Sequence, residues 1–480
     1  MGKYKSLISN TFIFAIGTFG SKVISYLLLP YNTRYLSPAE IGLLAIITTT
    51  CNLILPIVYC SISEAIIRFG LDRDVRKSDV YTTGVFVVIA GFSLFLLCMP
   101  LFIVDYSFLP LESLKSSLRP YLHLVYFYVL ASSFRTITSH FIRALGLVRL
   151  FALDGMTHTI TTAVLNIIFV GVFKWGMVGI LLATILADGL FALGGFLMLK
   201  LWRFIKPRKL NRDITQAMLR YSLPLVPTAI FWAVTNLSDR IFLSYMVDKT
   251  TVGLYDTANR VLPQLLILVS TLFIQAWQIS AFTEYKSREG ERFYSTVFKS
   301  YYTFIFVAAS GMILLARPFM QLATASDYHE GWRYIPFLVL SVSLSCLVTF
   351  LGTIYNAAKH NGMATITTAL GAGFNILFNF WLIPLYGAQG AAIATFASYF
   401  IVFLIRAIHT RKYMKLATQP LRIATNLLLL LSQTWLALSE VRFSLALQIL
   451  VVMLIIAVNF KYLLFLLRHI MTSLYRRKFA

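Results

Sequence analysis

The sequence predicts an all-helical membrane protein that crosses the bilayer about fourteen times. Hydrophobic residues make up 58% of the 480 residues and charged residues only 13%, a balance far from that of soluble domains. Apolar runs of about 20 residues, long enough to cross roughly 30 Å of hydrocarbon, recur almost from end to end. The polar breaks between these runs are too short to form a soluble domain.

The predicted spans follow one another with short connections. In chain order they cover residues 7–30, 41–65, 80–104, 119–142, 154–173, 177–199, 221–247, 258–283, 296–316, 333–355, 364–384, 388–408, 421–438 and 443–467. The first run follows a short basic start, lacks a small-residue cleavage site and leads into further spans. We therefore expect it to be a retained helix and not a signal peptide.

Basic residues predict the orientation, because short cytoplasmic loops carry an excess of Lys and Arg. Most of the 42 basic residues fall on the side that holds the N-terminus, the even-numbered loops and the C-terminus, so both termini are expected to be cytoplasmic. The basic segment 200–213 is interpreted as a linker at an anionic leaflet, with no nucleic-acid partner. The four cysteines lie in or beside apolar spans without metal-ligand spacing, so we expect neither a disulfide nor a metal site.

Two landmarks recur in the sequence with one common offset. GMVGILLAT begins at Gly176 and GAQGAAIAT at Gly387, 211 positions later, and IGL at 41–43 returns as VGL at 252–254 with the same offset. Two landmarks in one register indicate an internal duplication. The small residues of the longer landmark stand three and four apart, which predicts a helix face that a neighbouring backbone approaches closely.

The duplication predicts the domain organisation. Residues 1–205 and 206–410 each form a six-helix bundle, and residues 411–480 add two further spans and a basic tail. Because six is an even number, both halves share one orientation, and the repeat is parallel with its axis along the membrane normal. Such an arrangement allows two bundles to rock against each other around a central site.

Charged residues inside spans are the candidates for function, because a charge at membrane depth costs several kcal/mol unless it faces protein, water or a partner. Four cations inside spans are singled out, namely Lys22, Arg135, Arg240 and Arg260, and Asn236 shares a helix face with Arg240. We predict that these five residues bind an anionic substrate, since the planar Arg side chain donates two hydrogen bonds to phosphate. An alternative stays open, in which the cations form interhelical ion pairs or extend to an interface.

Acidic residues in the spans are candidates for coupling transport to a proton or a sodium ion. These are Asp154, Asp188 and Asp239. His158 follows Asp154 by one helical turn, a spacing that suits proton transfer, and Asp256 is placed to pair with the arginine one turn later. We predict no catalytic residue and no cofactor, and the sequence has no GxxxxGK[ST] nucleotide loop.

Two stretches and the span layout resemble one transporter family. With six, six and two spans, LPYNTRYLSPAEIG after span one and PLVPTAIFWAVTNLSDRIFLSYMVDKTTVGLYDTANR around span seven, the chain resembles the Wzx-like O-antigen and capsule flippases of the multidrug/oligosaccharidyl-lipid/polysaccharide (MOP) exporter superfamily. The resemblance covers essentially the whole chain, without a strict catalytic signature.

The resemblance implies a function, a location and partners. Such flippases move undecaprenyl-pyrophosphate-linked oligosaccharides to the outer leaflet of the bacterial cytoplasmic membrane by alternating access, for cell-surface polysaccharide biosynthesis. Membrane lipids, glycosyltransferases and a glycan polymerase are the implied partners beside the lipid-linked glycan. A cationic cavity lined by Lys22, Arg135 and Arg240 is what a pyrophosphate cargo requires.

Other functions remain open. A drug or metabolite exporter of the same superfamily would bind organic cations in an acidic interior, whereas span one carries Lys22 and no acid. A lipid II flippase has an equally anionic cargo. A membrane glycan polymerase or ligase is expected to carry a sizeable outer loop with acid–base residues, and the predicted outer loops reach only about 17 residues. We therefore predict a transporter and not an enzyme.

Overall fold

The computed structural model describes residues 20–21, 23–72, 74–103, 118–207, 211–285, 289–358, 360–439 and 441–478. Across these ranges the protein is helical and contains no β-strand, which confirms the predicted all-helical class. The helices are α1 (23–35), α2 (Pro38–Val58), α3 (Ile62–Gly70), α4 (Lys77–Ile103), α5 (Leu122–Ala144), α6 (Val148–Asn166), α7 (Gly176–Met198), α8 (Arg212–Ser222), α9 (Val226–Met246), α10 (Lys249–Val261), α11 (Pro263–Glu284), α12 (Gly290–Leu314), α13 (Ala316–Ala323), α14 (Ile335–Ala357), α15 (Asn361–Tyr386), α16 (Ala388–His409), α17 (Pro420–Leu438) and α18 (Ser444–Lys478).

Most predicted spans coincide with these helices. In the described ranges, eleven helical segments are long and apolar enough to cross a membrane, or twelve when α10 and α11, which meet at a 43° bend, count as one span. Predicted span four is α5, a helix of 23 residues that is long enough but more polar because Ser, Thr and Arg share one face. Predicted span one lies largely outside the described residues.

The chain divides into two compact units, Met1–Gly253 and Leu254–Ala480, called unit 1 and unit 2 here. In unit 1, α5 packs against α7, α3 and α2, and α9 packs against α2. In unit 2, α14 is the central helix and contacts α11, α12 and α16. The segment that contains α14 is 83% buried over its most apolar window. The predicted domain boundaries at 205 and 410 rest on the duplication and stay predictions.

Side-chain amides fasten the two C-terminal helices to α12. Asn459 on α18 donates a hydrogen bond to the side-chain oxygen of Asn426 on α17, and its own oxygen accepts from Thr303 at 3.3 Å. Ser310 donates to Gln433 at 2.7 Å. All of these groups are buried, where side-chain hydrogen bonds between apolar helices hold them together. The C-terminal pair is therefore an integral part of unit 2.

The nine-residue landmark serves two purposes in each copy. Its first glycine, Gly176 or Gly387, has a positive φ of 57° or 55° and forms the turn between two helices. Its second glycine lies at a close crossing, because a Cβ on Gly179 would lie 3.1 Å from Phe169 Cβ, and one on Gly390 would lie 2.1 Å from a carbonyl oxygen of the preceding helix. The predicted close packing holds for the second glycine, while the first is required for the turn.

The shorter landmark follows a capped helix start in both copies. The Ser37 side chain accepts from the Glu40 amide, and the Glu40 carboxylate accepts from the Ser37 amide at 2.9 Å, a capping box that starts α2. Asp248, 211 positions later, accepts from the amide of Thr251 at 2.8 Å and starts α10. Partial burial raises the pKa of Asp248, but hydrogen bonds from Thr251 and Thr250 outweigh it and lower that pKa below its usual value.

The two copies of the shorter landmark contact each other through their glycines. A Cβ on Gly42 would lie 2.0 Å from the carbonyl oxygen of Lys249 and 2.9 Å from the amide nitrogen of Gly253. A Cβ on Gly253 would lie 1.8 Å from the carbonyl oxygen of Pro38. Only glycine permits this backbone-to-backbone approach of α2 and the start of α10.

We expect Gly42→Ala and Gly253→Ala each to lower the free energy of unfolding by about 2 kcal/mol, because either methyl group must push a backbone carbonyl away. Thermal unfolding in detergent measures the effect. Gly189→Ala is the matched control, since a Cβ there meets no atom within 4 Å in the same unit. Equal melting temperatures for all three variants would show that the glycine contact is unimportant.

Candidate functional site

Three neighbouring helices of unit 1 bring four ionisable side chains together. Arg135 comes from α5, Asp154 and His158 from α6, and Asp188 from α7; they are called the charge cluster here. Asp154 and His158 lie one turn apart and therefore point the same way. Each side chain is only 10–18% exposed, so the cluster is largely withdrawn from solvent.

Asp188 lies between the guanidinium and the imidazole. Arg135 Nη2 donates to Asp154 Oδ2 at 3.2 Å, and Arg135 Nε lies 3.7 Å from Asp188 Oδ1. His158 Nε2 lies 2.8 Å from the same Asp188 oxygen. One carboxylate oxygen thus faces both a guanidinium and an imidazole.

Hydroxyl groups on α5 complete the contacts of both carboxylates. Ser132 Oγ donates to Asp188 Oδ2, and Ser139 Oγ donates to Asp154 Oδ2 at 3.4 Å. Both serines lie about one turn from Arg135, on the same polar face of α5. The ring of Phe191 meets His158 edge-on at 5.4 Å between centroids and closes an apolar side of the cluster.

The charge balance of the cluster depends on one proton. Two carboxylates face one guanidinium, so the formal charge is minus one with a neutral His158 and zero with an imidazolium. Arg135 is therefore neutralised locally, although the predicted set of buried charges as a whole is cationic.

On α9, Asn236 and Arg240 share a helix face, as their spacing predicts. Arg240 Nη1 donates to the main-chain oxygen of Asn236 one turn earlier. Asn236 is exposed and donates from its side chain to the carbonyl oxygen of Trp232 at 2.9 Å. Asp239, in contrast, is only 6% exposed and lies on the buried side of the helix. Arg240 is half-buried, so the cation is more accessible than the acid.

Arg260 forms the predicted ion pair with Asp256. Its Nε donates to Asp256 Oδ2 at 2.7 Å, and the arginine side chain is 48% exposed while the aspartate is 2% exposed. Lys22 lies outside the described residues. Its neighbour Ser21 donates to the carbonyl oxygen of Gly155 at 3.4 Å, so this end of span one contacts α6 beside Asp154.

Arg406 on α16 is a further cation inside a predicted span, two residues from the end of span twelve, which the four candidates above do not include. It is 4% exposed. It donates to the hydroxyls of Thr367 and Thr368 at 2.9 and 3.1 Å, and to the carbonyl oxygens of Val348 and Ala364 at 2.8 and 3.1 Å. Within the described part of unit 2, no carboxylate lies within 4 Å of it, so neutral oxygens solvate this charge.

The described residues hold no group of three or more His, Cys, Asp or Glu side chains placed to bind a metal ion.

Comparison with known proteins decides the family. A family model described as polysaccharide biosynthesis protein matches residues 7–278, more than half of the chain. The chain belongs to the polysaccharide biosynthesis protein family. None of the curated proteins matches the chain.

Solved structures share the fold of this polysaccharide biosynthesis protein. The lipid II flippase MurJ in an inward closed conformation is similar over 96% of this chain and 100% of its own, with a TM-score of 0.68 and 17% identity. An outward-facing multidrug resistance MATE transporter of the MOP superfamily covers 84% of this chain and 96% of its own (TM-score 0.58, 16% identity). A MOP superfamily transporter from Pyrococcus furiosus is similar over 85% of this chain and 96% of its own, with a TM-score of 0.56 and 16% identity. These likenesses confirm the fold expected from the sequence.

We expect Arg135→Met to lower the free energy of unfolding of this family member by about 3 kcal/mol, because two buried carboxylates lose their cation. Adding Asp154→Asn to that variant should recover part of the loss, which a double-mutant cycle measures. The control is Arg333→Met, whose pair with Glu330 is exposed (59% and 70%) and should cost less than about 1 kcal/mol. Equal costs for Arg135 and Arg333 would argue against a buried charge cluster.

Proposed function

We propose that the protein is a flippase that moves undecaprenyl-pyrophosphate-linked oligosaccharides from the inner to the outer leaflet of the bacterial cytoplasmic membrane. The observation that carries this proposal is the whole-length likeness to a flippase of a lipid-linked cargo, over 96% of this chain. The family description, polysaccharide biosynthesis, supports an oligosaccharide as the cargo. The product is an O-antigen or capsule type of surface polysaccharide.

The C-terminal helices favour a lipid-linked cargo over a drug. The MATE structures leave about 15% of this chain uncovered, a share large enough for α17 and α18, whereas the flippase covers nearly all of it. Hydrogen bonds at Asn426 and Asn459 make that helix pair a built part of unit 2. A helix pair held in this way is suited to a substrate that keeps a long tail in the lipid.

Cargo binding is assigned to Lys22, Arg135, Arg240, Arg260 and Asn236. The pyrophosphate offers several oxygens to Arg side chains, each of which donates paired hydrogen bonds. Arg135 already donates to Asp154, so the cargo must compete with that carboxylate for the guanidinium. Cargo binding and the state of Asp154 are therefore linked.

Asp154, Asp188 and Asp239 are the proposed coupling residues. Protonation of Asp154 would weaken its hold on Arg135 and so favour the cargo. His158, 2.8 Å from Asp188, is placed to pass a proton to or from the cluster. Proton uptake on one side of the membrane and release on the other would bias the inward-to-outward change and the return. A sodium ion held by the same carboxylates is the alternative that the test below separates.

The cycle makes and breaks no covalent bond, so the protein acts as a transporter and not as an enzyme. Glycosyltransferases would supply the cargo on the cytoplasmic side, and a glycan polymerase would use it on the outer side. Lipid II flipping is the second candidate function, favoured by the likeness to MurJ. Drug export is the third, with the MATE transporters as its support.

Proteoliposomes that contain a fluorescent undecaprenyl-pyrophosphate oligosaccharide test the proposal. Wild-type protein should move the lipid, and Lys22→Ala, Arg135→Ala and Arg240→Ala should each slow it at least about tenfold, the effect of losing one charge-assisted contact to phosphate. Arg333→Ala is the control and should behave as wild type, since its ion pair is exposed.

The outcomes separate the candidates. Movement of lipid II but of no oligosaccharide lipid would favour the second function, and export of organic cations alone would favour the third. Normal movement by all three folded cation variants would overturn the assigned cargo site.

Asp154→Asn tests the competition for Arg135. The amide keeps the size of the side chain but removes its charge, so we expect tighter cargo binding, slower turnover and weaker dependence on the pH gradient. Flipping at several imposed proton and sodium gradients measures this. Asp213→Asn, at an exposed helix start, is the control. A variant with an unchanged gradient response would exclude Asp154 from coupling, and a response to sodium alone would replace the proton.

A further inference from the structure

A basic cavity opens in unit 1 between the start of α4 and the segment that follows α7. Its volume is about 680 Å³, and it is called the unit 1 basic pocket here. Five cationic side chains and no acidic ones line it, namely Arg76, Lys77, Lys200, Arg203 and Lys206. It lies apart from the charge cluster, at the ends of spans that the sequence predicts to face the cytoplasm.

A buried threonine fixes the wall of the pocket. Thr82 on α4 donates from Oγ1 to the carbonyl oxygen of Phe204 at 2.9 Å and accepts from the amide of Lys206 at 3.0 Å. Its side chain is 1% exposed, so these bonds are sheltered from water. Lys77 is held as well, donating to the carbonyl oxygen of Asp72 at 2.8 Å. The pocket is therefore a built feature and not a gap between mobile side chains.

Three of the cations have no counter-ion among the described residues. Arg76 pairs with Asp79 at 3.0 Å. Lys200, Arg203 and Lys206 are exposed, and in the described ranges no carboxylate lies within 4 Å of them. Three uncompensated cations around one cavity attract an anion, and an arginine among them suits phosphate in particular.

The remaining wall of the pocket is apolar. Met198, Leu199 and Phe204 line it beside the cations. Helix α7 ends at Met198 and the candidate membrane span of α4 begins at Lys77, so the pocket lies beside the ends of two spans. An anion bound there has apolar surface next to it, which fits the phosphate of a membrane lipid better than a free phosphate ion.

Unit 2 carries a basic pocket at the corresponding place of the repeat. Lys299, Arg411 and Lys415 line a cavity of about 430 Å³ directly after α16. Arg411 is the counterpart of Lys200, 211 positions later, and each follows the helix that carries the nine-residue landmark. Each copy of the repeat thus has a basic pocket after the helix that carries the nine-residue landmark, although different residues line the two pockets.

We infer that these two basic pockets bind the phosphate groups of anionic phospholipids in the cytoplasmic leaflet. Each pocket ties the end of the sixth span of its repeat to the membrane surface. Lipid binding at these pockets does not require the transported cargo, so it is tested separately from the proposed function.

Lipid titration of the full-length protein in detergent, followed by native mass spectrometry, tests the inference. Phosphatidylglycerol should bind wild type more tightly than phosphatidylcholine does. The variant K200Q/R203Q/K206Q should weaken phosphatidylglycerol binding on the order of 100-fold, at about fivefold per lost charge. The control R149Q/R212Q/R220Q removes three exposed cations of the same unit outside the pocket and should bind as wild type.

A second variant keeps every charge of the unit 1 basic pocket and changes only the threonine that holds its wall. Thr82→Val removes both hydrogen bonds to the segment after α7, so we expect about tenfold weaker binding of phosphatidylglycerol while the net charge is unchanged. Unchanged binding by this variant would favour diffuse surface charge and overturn a built pocket.

Other results would also overturn the inference. Equal weakening in the two triple variants would show that net charge alone matters. Equal binding of phosphatidylcholine would show that no anion is required. Inorganic phosphate at millimolar concentration should not displace the lipid; complete displacement would assign the pocket to a soluble anion.

Discussion

The cost of placing a cation among apolar helices is the constraint on which the interior of this protein depends. A charged side chain at membrane depth costs several kcal/mol unless protein groups replace water. In unit 1 two carboxylates compensate the charge of Arg135. In unit 2 hydroxyl and carbonyl oxygens accept hydrogen bonds from Arg406. The helices that carry these partners must therefore pack in one register.

The two buried arginines differ in the chemistry of the groups that surround them. Neutral hydroxyl and carbonyl oxygens surround Arg406, which suits a structural role in holding α14, α15 and α16 together. Arg135, in contrast, contacts the carboxylates of Asp154 and Asp188, and Asp188 also contacts the imidazole of His158. The same residue type thus has neutral partners in one unit and charged partners in the other.

Several features of helix starts and turns occur twice, 211 residues apart, as the predicted duplication requires. Each copy begins a helix with a side-chain cap, places a glycine in a close backbone contact, and later turns at a glycine of positive φ. These features serve the course of the backbone, whereas the side chains around them differ between the copies. The charge cluster has no such counterpart, since Cys346 and Thr365 stand 211 positions after Arg135 and Asp154.

The sequence by itself determined the helical class, most of the spans, the repeated landmarks and the pairing of Asp256 with Arg260. Each of these depends on local chemistry, namely the length of an apolar run, the offset of a motif, or two residues one turn apart. Only the tertiary structure decided that Arg135 bonds to Asp154, that Asp188 also contacts His158, and that Arg406 is buried among neutral oxygens. These contacts join different helices, and the rotation of each helix about its axis is set by packing against its neighbours, which no single stretch of sequence encodes.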